Sequence, residues 1–409
     1  MENKIYHICR GLCIMLLLML MACASDHKEE SEEQPTVLNI YVYSPGHPIV
    51  TRSDAPDVKA TEEEENTIYS LQLWVFKNQN GALIKYFEPE SVENLNNGSG
   101  ATYQLKMDDD FVTNKPDVDV YILANAEEYD YQFGENTSRA DLDAAVLSDT
   151  QNDNAFGLTA LTTSLTDKGV PMSGVLKNQP VVGDAPILRI KSQSADEMAR
   201  VKLARAVSKV RFIFSKASGD NEPTIRIMNI QLDGAMIPNE ECLFLKEPYD
   251  GTNVNIPNNA VYGSGSFLSD AFDITANCMN PRDYEYRESW SGQTYEDKIV
   301  EGLTKKNDDD TYELEQQGPF YLRESDKQLK GTITYKIIPN GTTDEETIAA
   351  ITPKEATFEM ANAGEFSRNH TWTVYAYFAG GSRIQVISVY VMTWNLETLD
   401  DVDRKVHNW

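Results

Sequence analysis

Histidine and cysteine are scarce in this chain, with five of each in 409 residues, and His7 and His27 lie at its extreme start. His47, His370 and His407 stand far apart without ligand spacing, so imidazole-based metal and acid–base chemistry has few candidates. Positive charge is thin as well. Against 64 Asp and Glu there are 36 Lys and Arg, and the resulting net charge of −28 repels phosphate backbones, which excludes nucleic acid as an ordinary partner. The apolar run Leu12–Met21 is about ten residues, too short for a spanning helix, and no other segment is a membrane-crossing candidate. Charged residues at 24% and hydrophobic residues at 41% are ordinary globular usage, so the acidity reads as a solvated surface. The length points to two domains of about 150–200 residues each.

What is present begins with a secretory pattern. Lys4 and Arg10 precede the apolar run, which closes on Leu20-Met21-Ala22-Cys23. That closing tetrad resembles the lipobox of bacterial lipoproteins, in which the cysteine thiol carries the lipid. Residues 1–22 are therefore expected to be a signal peptide, Cys23 the lipidation site, and 23–36 an acidic tether. Asp26-His27-Lys28-Glu29-Glu30 reads either as a surface-export signal or as plain solvated chain. Cys9 and Cys13 leave with the signal, and Cys242 and Cys278 remain, bridged in an oxidising exterior or buried as free thiols.

Residues 37–59, VLNIYVYSPGHPIVTRSDAPDVK, join two unlike pieces. Leu38, Ile40 and Val42 alternate with Asn39, Tyr41 and Tyr43, the period of a half-buried strand. Pro45, Gly46, Pro48 and Pro56 then make a segment that cannot join a ladder, and Arg52 stands within it, before Ser53. Further strands are expected at Ile68–Phe76, with a hairpin turn Asn78-Gln79-Asn80-Gly81, and at Ala82–Phe87, Val118–Ala124, Ala185–Lys191 and Arg200–Phe214. The last of these changes phase, which suggests a bulge near Ala204–Ala206. Thr224–Leu232, Gly331–Ile338, Thr371–Phe378 and Arg383–Trp394 follow. Residues 138–165 hold the best helical stretch, capped by Ser138 with Leu142, Ala145 and Val146 on one face, and Pro171-Met172-Ser173-Gly174 reads as a turn. Short strands, few helices and no βα alternation predict an all-β chain of two tandem antiparallel β-sandwich domains, at 37–198 and 199–409, with a short helical insertion in the first.

Catalytic patterns are weak. Gly263-Ser264-Gly265-Ser266 lacks the frame of a nucleophile elbow and a neighbouring base. Asp108-Asp109-Asp110 and Asp308-Asp309-Asp310 lack the alternating spacing of a calcium loop and read as solvated turns, so no metal or other cofactor is expected. Tyr284, Tyr286, Trp290 and Tyr295 crowd one polar loop, where their faces either stack on a sugar or protein ligand or cover the nearest sheet.

Five further segments resemble the fimbrillin family, the type V pilus subunits of anaerobic Gram-negative bacteria. They are Ala60–Gly81 with its acids, strand and hairpin glycine; Val120–Asn125; Pro171–Gly174; Leu203–Val210; and Ser367–Trp372. The resemblance implies two transthyretin-like sandwiches and a non-enzymatic subunit that travels to the outer membrane as a lipoprotein. It implies a cut after Arg52, release of the strand carrying Leu38, Ile40 and Val42, and replacement of that strand by one from another fimbrial subunit. Adhesion would follow at the cell surface, through a host or bacterial receptor. The tail 396–409 spaces Leu396, Leu399, Val402, Val406 and Trp409 more like a helical stripe, and only Val402, Arg404, Val406 and Trp409 offer a short donor strand. The alternative reading is therefore a tip adhesin or a permanently anchored binding lipoprotein.

Overall fold

The computed structural model describes residues 35–43, 67–96, 100–126, 129, 131–148, 169–192, 198–216, 223–248, 254–268, 270–274, 315–378 and 384–393. Its first strands are β1 (Val37–Tyr43), β2 (Leu71–Lys77), β3 (Leu83–Phe87), β4 (Ala101–Lys106), β5 (Val118–Ala124), β6 (Val146–Ser148), β7 (Met172–Gln179), β8 (Val181–Asp184), β9 (Ile187–Ile190), β10 (Arg200–Lys202) and β11 (Ala204–Arg205). Two sheets are built from them. In one, β1 joins β4, β8, β9 and β10; the other has the order β11-β7-β5-β2-β3. The two sheets enclose one apolar cluster, to which Leu38, Ile40 and Val42 contribute from one side and Leu73, Val75, Val120 and Ile122 from the other. β2 and β5 are apolar on both faces because Trp74, Phe76, Tyr121 and Leu123 point away from that cluster into a second one.

The later strands are β12 (Ser208–Lys216), β13 (Thr224–Leu232), β14 (Ile237–Pro238), β15 (Glu240–Cys242), β16 (Tyr262–Gly263), β17 (Phe272–Ile274), β18 (Glu315–Leu322), β19 (Leu329–Ile338), β20 (Lys354–Ala361), β21 (His370–Phe378) and β22 (Ile384–Thr393). They form the orders β18-β12-β21-β22 and β17-β13-β19-β20 around a cluster that includes Phe212, Phe214, Ile230, Ile333 and Val374. The architecture is all-β and layered sheet on sheet. Three pairings run parallel within these largely antiparallel sheets: β1 with β9, β1 with β10, and β12 with β21.

Several elements depart from the sequence reading. Arg200–Phe214 is not one bulged strand. Its first part pairs with β1, Ala204 and Arg205 pair with β7, and Ser208 onward pairs with β18 and β21, so the chain crosses from one pair of sheets to the other. The apolar pattern continues through the crossing because Ala206 and Val207 are buried in the second cluster, where the two pairs of sheets meet. The helix at Ser138 is real but short: α3 is Arg139–Asp143, after α1 (Glu93–Asn96) and α2 (Asp109–Asn114). Ser138 and Asp141 close a capping box, Ala145 lies beyond the helix, and Val146 begins β6. The remainder of the stretch, 149–165, lies outside the described residues. Met172-Ser173-Gly174 opens β7 and is not a turn. Asp108 N-caps α2, its side chain accepting from Phe111 N at 2.8 Å. The turn after β2 is as expected, with Gly81 at φ 68.

Candidate functional site

β1 lies inside its sheet. Residues 37–42 pair antiparallel with 106–101 of β4 along one side. On the other side, 37–39 pair with 187–189 of β9 and 41–43 with 200–202 of β10, both parallel. Val37 N donates to Pro186 O at 2.9 Å, and Leu203 N donates to Tyr43 O at 3.0 Å, so hydrogen bonding continues to both ends of the strand. Among the described residues, β4 has β1 as its only partner strand in the sheet. β1 therefore joins β4 to everything else in that layer.

The alternating sequence of β1 sets the shape of its slot. Leu38, Ile40 and Val42 are at most 1% exposed, and across the register they meet Leu105, Tyr103 and Ala101. Leu188 lies beside Leu38 on β9, and Val201 beside Val42 on β10. Burial pushes the Tyr103 hydroxyl up to about 12, which marks the slot as a low-dielectric environment. On the outer face the Arg200 guanidinium lies 5.6 Å from the Tyr41 ring centroid. Gly100 fits against this strand only because it lacks a side chain: at φ 74, a Cβ there would come within 2.7 Å of Val42 O.

A polar knot joins the two pairs of sheets. Arg368 is buried, donating from Nη2 to Glu324 Oε1 at 2.7 Å and to Cys242 O at 2.5 Å, and from Nη1 to Leu243 O at 3.1 Å. Glu241 Oε2 accepts from Glu324 N at 2.8 Å, while its Oε1 has no partner among the described residues. Burial pushes the Glu241 carboxyl up to about 8, against the pull of the Arg368 guanidinium and with the Glu324 charge adding to the rise. Arg205 Nη1 donates to Asn369 Oδ1 at 3.0 Å, and Asn369, at φ 62, donates from N to Val207 O at 2.9 Å. β15 reaches across to pair with β6, and Phe244 packs edge-on to Trp74 and Tyr121.

The sequence reading missed this knot, although two family-like segments, Leu203–Val210 and Ser367–Trp372, supply much of it. His370 is buried there, its Nδ1 2.8 Å from Arg368 O, in no arrangement suited to catalysis. Cys242 is a buried free thiol whose pKa burial raises, and Cys278 lies outside the described residues. Ser264 lies in an irregular stretch just after β16. Cys23, Arg52 and Ser53, the aromatic loop of Tyr284, Tyr286, Trp290 and Tyr295, and the tail with Val402, Arg404, Val406 and Trp409 are also outside the described residues. Leu38, Ile40 and Val42 are the sequence-predicted site residues whose side chains are visible, and they stand together in one slot.

Residues 38–199 match the family model described as Major fimbrial subunit protein (FimA). Over that span the chain is similar to the major fimbrial subunit family. The fimbrial match opens inside β1 and ends at the entry to β10, so it encloses the whole slot except the first residue of the strand and the β10 partners. A fimbrial assembly protein from Parabacteroides distasonis is 11% identical with a TM-score of 0.43, covering 92% of this chain and 100% of that one. The tip fimbrial protein Mfa3 from Porphyromonas gingivalis, with a C-terminal truncation, is 11% identical with a TM-score of 0.42, covering 88% of this chain and 99% of that one. No curated protein matches the chain.

Proposed function

We propose that this chain is a structural fimbrial subunit with no enzymatic role, sorted to the outer membrane through lipidated Cys23. Cleavage between Arg52 and Ser53 frees β1, and a strand from another fimbrial subunit takes its place, building a surface fimbrium that supports adhesion. The observation that carries this reading is the position of β1: an interior strand, sealed along both sides, whose following segment holds a lone arginine between prolines. Withdrawing it would expose three apolar side chains' worth of core, roughly 1.5–3 kcal/mol each, together with two rows of unpaired backbone groups. Only another strand satisfies both needs at once. Head-to-tail exchange of this kind does not close on itself, so it yields a filament.

Digestion of the purified lipid-free protein with an Arg-specific protease tests the proposal. The expected result is a product beginning at Ser53 that forms sodium dodecyl sulfate-resistant multimers, alone or with a second subunit. A product that unfolds, or a surface-isolated form that keeps lipidated Cys23 while embedded in fimbriae, would overturn it.

A further inference from the structure

The slot is a mould, and its shape says what fits. β1 runs parallel to β9 and β10 and antiparallel to β4, and a strand that replaces it in the same register does the same. It must also present three apolar side chains at alternate positions, opposite Leu105, Tyr103 and Ala101. All three positions are buried, and at the middle one Ile40 faces an aromatic ring whose own hydroxyl has no partner among the described residues. A charged group there would be buried and unpaired.

The chain's own tail does not meet that requirement. In 396–409, LETLDDVDRKVHNW, every choice of three alternate residues includes at least one Asp, Glu, Lys or Arg. The best choice, Val402, Arg404 and Val406, places the arginine at the middle position. Slipping the register does not help, since a shift of one residue turns Asp403 and Lys405 inward, and a shift of two brings in Asp400.

Resting on the strand-exchange reading above, we infer that the β1 slot is a receptor for a strand from a different kind of chain, one with an uncharged apolar–x–apolar–x–apolar core that enters parallel to β9 and β10. Residues 396–409 of a second copy do not fill the slot, and the specificity resides in Tyr103 and in the strand direction.

The test uses the full mature chain nicked at Arg52, with a second preparation carrying a recognition site for another protease between 52 and 53 in case the arginine resists. Fluorescent peptides are added and their retention is read by anisotropy and native mass spectrometry: residues 37–43, the same residues in reversed order, residues 396–409, and 396–409 with Arg404→Ile. The 37–43 peptide is expected to enter, with the native tail at least about 100-fold weaker. Arg404→Ile should recover binding, and the reversed peptide should bind poorly. Entry of 37–43 together with equal entry of the native tail would overturn the inference and leave strand exchange standing, as would equal entry of the reversed peptide for the stated direction. Failure of 37–43 itself to enter would sink both.

Discussion

With its carboxyl fully buried and Oε1 without a partner among the described residues, Glu241 favours its protonated form, and that preference has a thermodynamic consequence. A carboxyl whose folded-state pKa is raised from 4.5 to about 8 contributes stability that is complete below pH 4.5 and is lost as pH rises through about 8. The melting temperature should fall between pH 5 and 8, with Glu241→Gln flattening the slope by removing a contribution on the order of 3–5 kcal/mol. Calorimetry across that range checks it, and parallel slopes for the two proteins would show that Glu241 is already ionised. Arg368 responds differently. Its guanidinium is held charged by Glu324 in spite of burial, so Arg368→Ala strands a buried carboxylate and should cost about 3–5 kcal/mol in denaturant unfolding. Adding Glu324→Leu to that variant should restore part of the loss, because the orphaned charge is then gone.

Among the elements, β1 and β4 show what pattern alone can reveal. β1 is plain in the sequence, since seven residues of strict alternation point three aliphatic side chains one way. β4 alternates just as strictly, buried then exposed, yet ATYQLK offers only Ala101, Tyr103 and Leu105 for its inner face, too weakly apolar a signal to separate from the polar chain around it. The crossing at Ala206-Val207 was hidden for the opposite reason: burial continues through it, and nothing local marks where the strand changes partners. The polar knot was beyond reach because its contacts are distant in sequence, Arg205 and Asn369 being 164 residues apart. Truncating the inner face of β1 tests the packing claimed for it. Ile40→Ala should destabilise the intact protein by about 2–5 kcal/mol, whereas a change at the outward Asn39 should cost far less, as judged by denaturant midpoints.

For the whole molecule, charge opposes association. Loss of residues 1–52 removes 4 basic and 6 acidic residues and leaves a net charge of −26, so copies or close relatives of similar acidity repel one another as they approach. Raising ionic strength from about 0.01 M to 0.15 M shortens the screening length from roughly 30 Å to 8 Å and should speed multimer formation after cleavage. Gel ladders sampled over time at several salt concentrations would show this, and a rate that drops with salt would mean that opposite charges steer the encounter.

That β4 is tied to its layer, among the described residues, through a single neighbour has a temporal consequence. On the proposed exchange, an acceptor vacated by clipping is an adhesive object until it is refilled, with two raw backbone rims flanking an oily trench that other β-rich chains can contact before the rightful guest arrives. A cell using such a part must keep protease and incoming subunit close together in space and time. The speed of hand-over, more than its final tightness, then decides whether fibres or debris accumulate.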